Sequence, residues 1–194
     1  MKQLKRLLLL LLLLPSFWSS NAQTVGIKTN LIPDAALSPN LGVEVGLAQH
    51  WSVDFTGELN LWPIKKHYWK HWLVQPEVRY WLCDKFAGHF FGLHVIGGQF
   101  NVGNIKNGIT FLGSKLSNLS HYRYQGWGAG AGIAYGYDWI LGKHWNLEAE
   151  IGIGWIYTRF DQYSCATCGK KLDTGKTHNY VGPTKLSLAL EYIF

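Results

Sequence analysis

Charge is scarce in this chain. Asp, Glu, Lys and Arg supply only 15% of its 194 residues, against roughly 25% in ordinary soluble domains. Also missing, beyond residue 22, is any run of about 18 consecutive apolar residues, which excludes a transmembrane helix there. The three cysteines include no second pair, which weakens a four-ligand zinc centre from the start. At this length there is room for one ordinary domain and not for two. What the chain does have is apolar and aromatic: 47% hydrophobic, 15% aromatic, with ten Trp and ten Tyr. Such a composition can bury a core and is not that of a disordered segment.

The formal charge of +6 invites a nucleic-acid reading until the charges are located. Lys2, Lys5 and Arg6 precede the leucine run Leu7–Leu14, and Ser20-Asn21-Ala22 forms a small-residue cleavage site ahead of Gln23. This is the pattern of a secretory signal peptide over residues 1–22. With Gln23 in place of Cys, no lipoprotein anchor is expected. Removal of those three basic residues halves the excess to +3 over 23–194, so nucleic acid is not an expected partner. A secreted chain of this composition is then either a soluble β-protein or a membrane β-barrel.

Alternation of apolar and polar residues recurs eight times, the period-two signature of half-buried strands. Trp51, Val53, Phe55, Leu59 and Leu61 oppose Ser52, Asp54, Thr56, Glu58 and Asn60. Leu147, Ala149, Ile151, Ile153 and Trp155 oppose Asn146, Glu148, Glu150, Gly152 and Gly154. The other strands are expected near 24–32, 40–48, 72–82, 89–99, 122–137 and 185–194. The segment at 89–99, with Phe90 beside Phe91, alternates worst. Connections near 49–51, 83–88 and 138–144 are short, whereas those near 33–39, 63–71, 100–121 and 158–182 are longer. Short turns at one end and long loops at the other are the outer-membrane pattern. Two of the short turns, Leu47–Trp51 and Leu141–Trp145, share a His-Trp ending, which reads as one turn chemistry used twice or as a hairpin duplication.

A soluble barrel hides its apolar face and an outer-membrane barrel hides its polar one, so alternation alone does not choose between them. Acidic residues in mid-strand, aromatic residues at strand ends (Trp51, Trp62, Trp72, Tyr80, Trp127, Tyr137, Trp139, Trp145, Tyr157, Tyr192), the loop asymmetry and a final apolar strand ending at Phe194 favour the membrane. On these features, residues 23–194 resemble small eight-stranded outer-membrane proteins of the OmpA/OmpX type, and especially the uncharacterised, domain-of-unknown-function barrels of similar length. The resemblance implies an all-β, eight-stranded antiparallel up-and-down barrel in the outer membrane of a Gram-negative bacterium. It also implies that Leu188, Leu190, Tyr192 and Phe194 form the signal read by the barrel-assembly machinery, with Ala189 standing where that signal usually has Gly.

The expected lumen charge network comprises Lys28, Glu44, Asp54, Glu58, Glu77, Arg79, Glu148, Glu150, Lys185 and Glu191. An eight-stranded barrel is only wide enough for side chains, and buried charges must be paired. A structural plug is therefore favoured over a narrow gated pore. The outer loops carry Lys65, Lys66, Trp69, Lys70, Arg159, Lys170 and Lys171. They suit the phosphates of outer-membrane lipid and lipopolysaccharide, or a cell-surface protein or glycan. Cys165 and Cys168 read best as a local loop disulfide. A zinc site would have only His178 and Asp161 or Asp173 nearby, and a redox pair would lack a helix N-terminus. Cys83 falls on the opposite rim. A lipid A-modifying enzyme using Ser117, Ser120, His121 and His94 matches no defensible spacing. The expectation is a non-enzymatic protein with no cofactor and no metal, structural or surface-binding through its loops.

Overall fold

The computed structural model describes residues 25–62, 68–103, 110–111, 114–115, 122–164 and 169–194, without the side chains of 68, 110, 111, 114 and 115. Both the signal peptide expected at 1–22 and the Cys165–Cys168 pair lie outside the described residues. In chain order the elements are β1 (Val25–Asn30), α1 (Leu31–Ala35), β2 (Asn40–Gly46), β3 (Trp51–Asn60), β4 (Tyr68–Trp81), β5 (Gly88–Gly103), β6 (Thr110–Phe111), β7 (Ser114–Lys115), β8 (Arg123–Ile140), β9 (Trp145–Tyr163) and β10 (Lys171–Ile193). Strands β6 and β7 pair only with each other. The other eight close into one ring in the order β1-β10-β9-β8-β5-β4-β3-β2, every neighbour antiparallel. The ring shuts where Gly26 to Asn30 lie opposite Ile193 to Ala189. There the Phe194 N–H donates to the Val25 carbonyl at 2.9 Å. Closure satisfies the edges that an open sheet would expose.

Burial in this ring is inverted relative to a soluble domain. Among the described residues the buried polar or charged side chains number sixteen and the buried apolar ones six. Phe55, Leu93, Ile133, Ile153 and Leu186 are all more than half exposed on the outer face. The apolar half of each alternating strand therefore points outward and the polar half lines the interior. Aromatic rings border the outer belt at both ends. Near the chain termini Trp51 packs on Tyr80, Tyr137 on Trp139, and Trp145 on Tyr192, with centroids 4.8–5.0 Å apart. At the far end Trp127 and Tyr157 meet at 5.8 Å. From Trp145 to Trp155 on β9 the strand climbs roughly 25 Å, at about 3.4 Å per residue and the usual barrel tilt.

The two His-Trp turns are built alike. In each, the last residue's carbonyl accepts from two backbone N–H groups: Leu47 and Ala48 on Trp51, Leu141 and Gly142 on Trp145, at 2.8–3.2 Å. Each turn's histidine carbonyl then accepts from a neighbouring strand, His50 from Trp81 and His144 from Ile193.

The far end departs from expectation. The loop expected at 158–182 is mostly ladder, since β9 runs to Tyr163 and β10 starts at Lys171. Arg159 lies opposite Thr177, and Tyr157 opposite Asn179. Pairing persists there while alternation fails, because both faces of the hairpin are polar or half-exposed. Likewise β4 begins at Tyr68, within the loop expected at 63–71, and β5 continues to Gly103, past the expected start of the next loop. The short helix α1 was not anticipated. Asn30 caps it by accepting from the Ile32 N–H at 3.2 Å, and Asp34 is held by Thr29 and Asn40. This pins the β1–β2 connection across the mouth of the barrel.

Candidate functional site

The site is the lumen, and strand register assembles it. Glu44, Asp54, Glu77 and His94 are successive cross-strand neighbours on β2 to β5. The row continues through Gly132, Gly154 and Gly182 on β8 to β10. Three acids side by side repel one another, and Lys28, Arg79 and Lys185 reach in to neutralise them. One level nearer the termini, Ser52, Arg79, Gly92, Ala134, Gly152 and Lys185 form the next row. A Cβ at Gly92 would lie 2.6 Å from Glu77 Cδ, and one at Gly132 would lie 2.6 Å from His94 Nε2. Both positions therefore exclude a larger residue.

Arg79 is the hub. Its Nε donates to Glu77 at 2.7 Å, Nη1 to Glu44 and Glu148 at 2.6 and 2.5 Å, and Nη2 to Glu148 and Glu150 at 3.1 and 2.7 Å. A guanidinium has five N–H donors, so every one is taken. Phe90 lies against its face, 4.4 Å from the guanidinium carbon. Lys28 meets Glu44, Asp54 and Glu148 at 2.8, 3.1 and 3.1 Å. Lys185 meets Glu77 and Glu150 at 2.8 and 3.0 Å. Below the network Trp81 donates to Ser52 Oγ at 2.8 Å, and Ser52 donates to Glu44 at 2.5 Å. Trp81, Phe86, Phe90 and Ile193 are buried beneath it.

Nine of the ten expected lumen residues thus meet in one network or lie buried beside it, and Glu58 is the correction. Glu58 sits nearer the mouth, half-buried, and pairs with His71 Nε2 at 2.8 Å, because the stagger carries β3 past the level of Arg79. Sequence reasoning missed Asp138, which accepts from Asn146 at 2.7 Å. It lies just past the expected end of its strand. His94, nominated only for catalysis, instead lies fully buried with Nε2 2.8 Å from Thr184 Oγ1. Its Nδ1 is 3.6 Å from a Glu77 oxygen, beyond hydrogen-bond reach, and Glu77 is committed to Arg79 and Lys185. The other enzyme candidates, Ser117, Ser120 and His121, lie outside the described residues.

Above the charge network an open cavity of about 310 Å³ runs to the mouth, walled by Trp69, Leu73, Ile96 and Thr184 and floored by Lys28 and Lys185. Trp69 is a wall of this interior rather than a loop anchor. Of the other expected loop residues, Lys70, Arg159 and Lys171 stand on strands β4, β9 and β10. Lys170 lies in the connection beside them, and Lys65 and Lys66 fall outside the described residues. At the tip of the tall hairpin Arg123 covers Tyr163 at 4.3 Å, and Lys171 pairs with Asp161 at 2.7 Å. The Lys171 hydrogen bond, then that of the Gly175 N–H, holds the Asp161 carboxyl below the ordinary aspartate range.

The model of one protein family, described as Protein of unknown function (DUF3575), matches residues 7–194. The chain belongs to this family. No curated protein matched the sequence. As a DUF3575 member the chain carries the closed barrel and the saturated Arg79 hub as its own structural facts, with no activity attached to the family description.

Proposed function

We propose that this protein is a non-enzymatic outer-membrane β-barrel whose lumen is a structural plug and whose far-end rim is a binding surface facing out of a Gram-negative cell. The observation that carries the reading is the inverted burial: polar and ionisable side chains inside, an aromatic-bordered apolar belt outside. In water such a belt would aggregate, whereas in a bilayer it matches the apolar band of outer-membrane barrels. The terminus-bearing end, with its short turns, then faces the periplasm, as in the OmpA/OmpX type that the sequence resembles. Leu188, Leu190 and Tyr192 lie on the outer face of the closing strand, with Phe194 just beyond it, where assembly machinery would read them. The plug is favoured over a pore because no donor of Arg79 remains for a passing ion.

On the rim, Arg123, Arg159, Lys170 and Lys171 suit the phosphates of lipopolysaccharide, or an anionic surface protein or glycan. The reading is tested first by solubility. Refolded residues 23–194 should need detergent, float with lipid vesicles and show no steady conductance in planar bilayers. A monodisperse, detergent-free solution would end the membrane assignment. Titration with lipopolysaccharide should then give salt-sensitive binding, weakened by replacing the four rim cations with Gln; equal binding by that variant would remove the rim role.

A further inference from the structure

The lumen does not balance its own charge. Among the described residues seven carboxyl groups are buried in it (Glu44, Asp54, Glu77, Asp138, Glu148, Glu150 and Glu191), against three cations, Lys28, Arg79 and Lys185. The excess concentrates toward the periplasmic end. There Arg79 and Lys28 both attach to the same oxygens of Glu44 and Glu148, while Glu191 is left over. Glu191 is fully buried, and among the described residues neither of its carboxylate oxygens accepts a hydrogen bond. Each of Glu44, Glu148 and Glu191 offers an oxygen, and the three lie within 4.8 Å of one another. Nearby Asp138 also has one buried oxygen without a partner.

We infer that Glu44, Glu148 and Glu191 hold a hard divalent cation of the calcium type, captured as the barrel closes. An uncompensated buried carboxylate is strongly unfavourable, and both oxygens of Glu191 point to a missing positive partner. All-oxygen donors exclude soft metals. Calcium takes oxygens at about 2.3–2.6 Å, so the oxygens around one ion lie within roughly 5.2 Å of one another. Gly26 lies beside Glu44 on β1, and a Cβ there would collide with Glu191. The glycine thus leaves the carboxylate space to turn toward its two acidic neighbours. This cation departs from the expectation of no metal.

The test is to refold the full mature chain from urea into micelles with calcium or with a chelator, desalt it, and measure bound calcium. The expected result is near-stoichiometric calcium in the wild type, a higher melting temperature than the chelator sample, and loss of both effects in Glu191→Gln. Terbium in place of calcium should show emission sensitised by Trp81, which is linked to Glu44 through Ser52. Trp81→Phe should dim that emission while keeping the calcium-dependent melting shift. A wild-type chain that retains neither ion overturns the site whatever the variants do, and means that protons make up the deficit. Equal calcium retention by a folded Glu191→Gln, or full terbium emission from Trp81→Phe, places the ion elsewhere and overturns it as well.

Discussion

Replacing Arg79 with Met tests whether the lumen is a dry plug or a wet path. Met fills much of the same volume but withdraws five donors at once from Glu44, Glu77, Glu148 and Glu150. Removing one partner from a buried ion pair costs about 3–5 kcal/mol, because the other charge stays behind unpaired. With a urea slope of about 2 kcal/mol per molar, a loss of about 4 kcal/mol lowers the unfolding midpoint by about 2 M. The assay is urea unfolding of the refolded barrel in micelles, followed by tryptophan fluorescence and by the heat-modified gel band. Arg79→Lys should fall between the two, since it keeps the charge but has three donors in place of a planar fork. Adding Glu148→Gln to Arg79→Met should recover about 1–3 kcal/mol by removing one stranded charge. A midpoint loss under about 0.5 M for Arg79→Met, where about 2 M is expected, would mean that water screens these carboxylates, and the plug would be refuted.

On the outer face, Leu93→Arg sits in mid-belt on a residue 62% exposed. In a bilayer it should cost about 2–4 kcal/mol, with Asn101→Arg at the far end near neutral. Equal small effects from both, read as vesicle-refolding equilibria, would argue for a surface in water. Inside, Gly92→Val should lower the folded fraction on heat-modified gels by overpacking against Glu77, by about 1–3 kcal/mol. Gly57→Ala, whose Cβ would meet nothing within 4 Å, serves as the silent control, and an equal loss there would discount the packing argument. At the rim, the depressed Asp161 carboxyl gives its Lys171 contact above the ordinary aspartate value of about 3.9 and loses it as pH falls through the lower folded value. Carbon-detected NMR should find Asp161 titrating below free aspartate, shifted upward in Lys171→Gln. Titration at the free value in both proteins would dismiss the contact.

The barrel was legible because the outer face and the lumen carry opposite chemistry on adjacent residues. Wherever both conditions hold, as from Trp145 to Trp155, period two survives in the sequence and the face of each residue follows. The far ends of β9 and β10 were not legible, since Thr158, Gln162, Thr177 and Asn179 stand beyond both the apolar outer belt and the packed lumen. The poor alternation near Phe90 also has a physical cause. Phe90 turns inward to lie against Arg79 and Trp81, beside Gly136 on the next strand. That buried cap is apolar, so it interrupts the polar half of the pattern.

Membership of the lumen was readable strand by strand, but its pairings were not. Inward parity places Glu58 and Glu77 alike, four residues along β3 from Asp54 in one case and directly across from it in the other. Only the register separates them: Asp54 lies opposite Glu77, while Glu58 lies opposite Leu73 and out of Arg79's reach. The same register explains why acids and glycines occur together in this chain. A row that places Glu44, Asp54 and Glu77 side by side has Gly132, Gly154 and Gly182 on its other arc. A Cβ at Gly132 would lie 2.5 Å from the Ile153 carbonyl oxygen and one at Gly154 2.3 Å from that of Ala131, so backbone closes that arc to side chains. A one-residue slip of β4 against β3 would turn Glu77 and Arg79 toward the apolar belt. The ion pairs are therefore more than a filling for the barrel: their burial penalises the one-residue slips that would take Arg79 from its four acids.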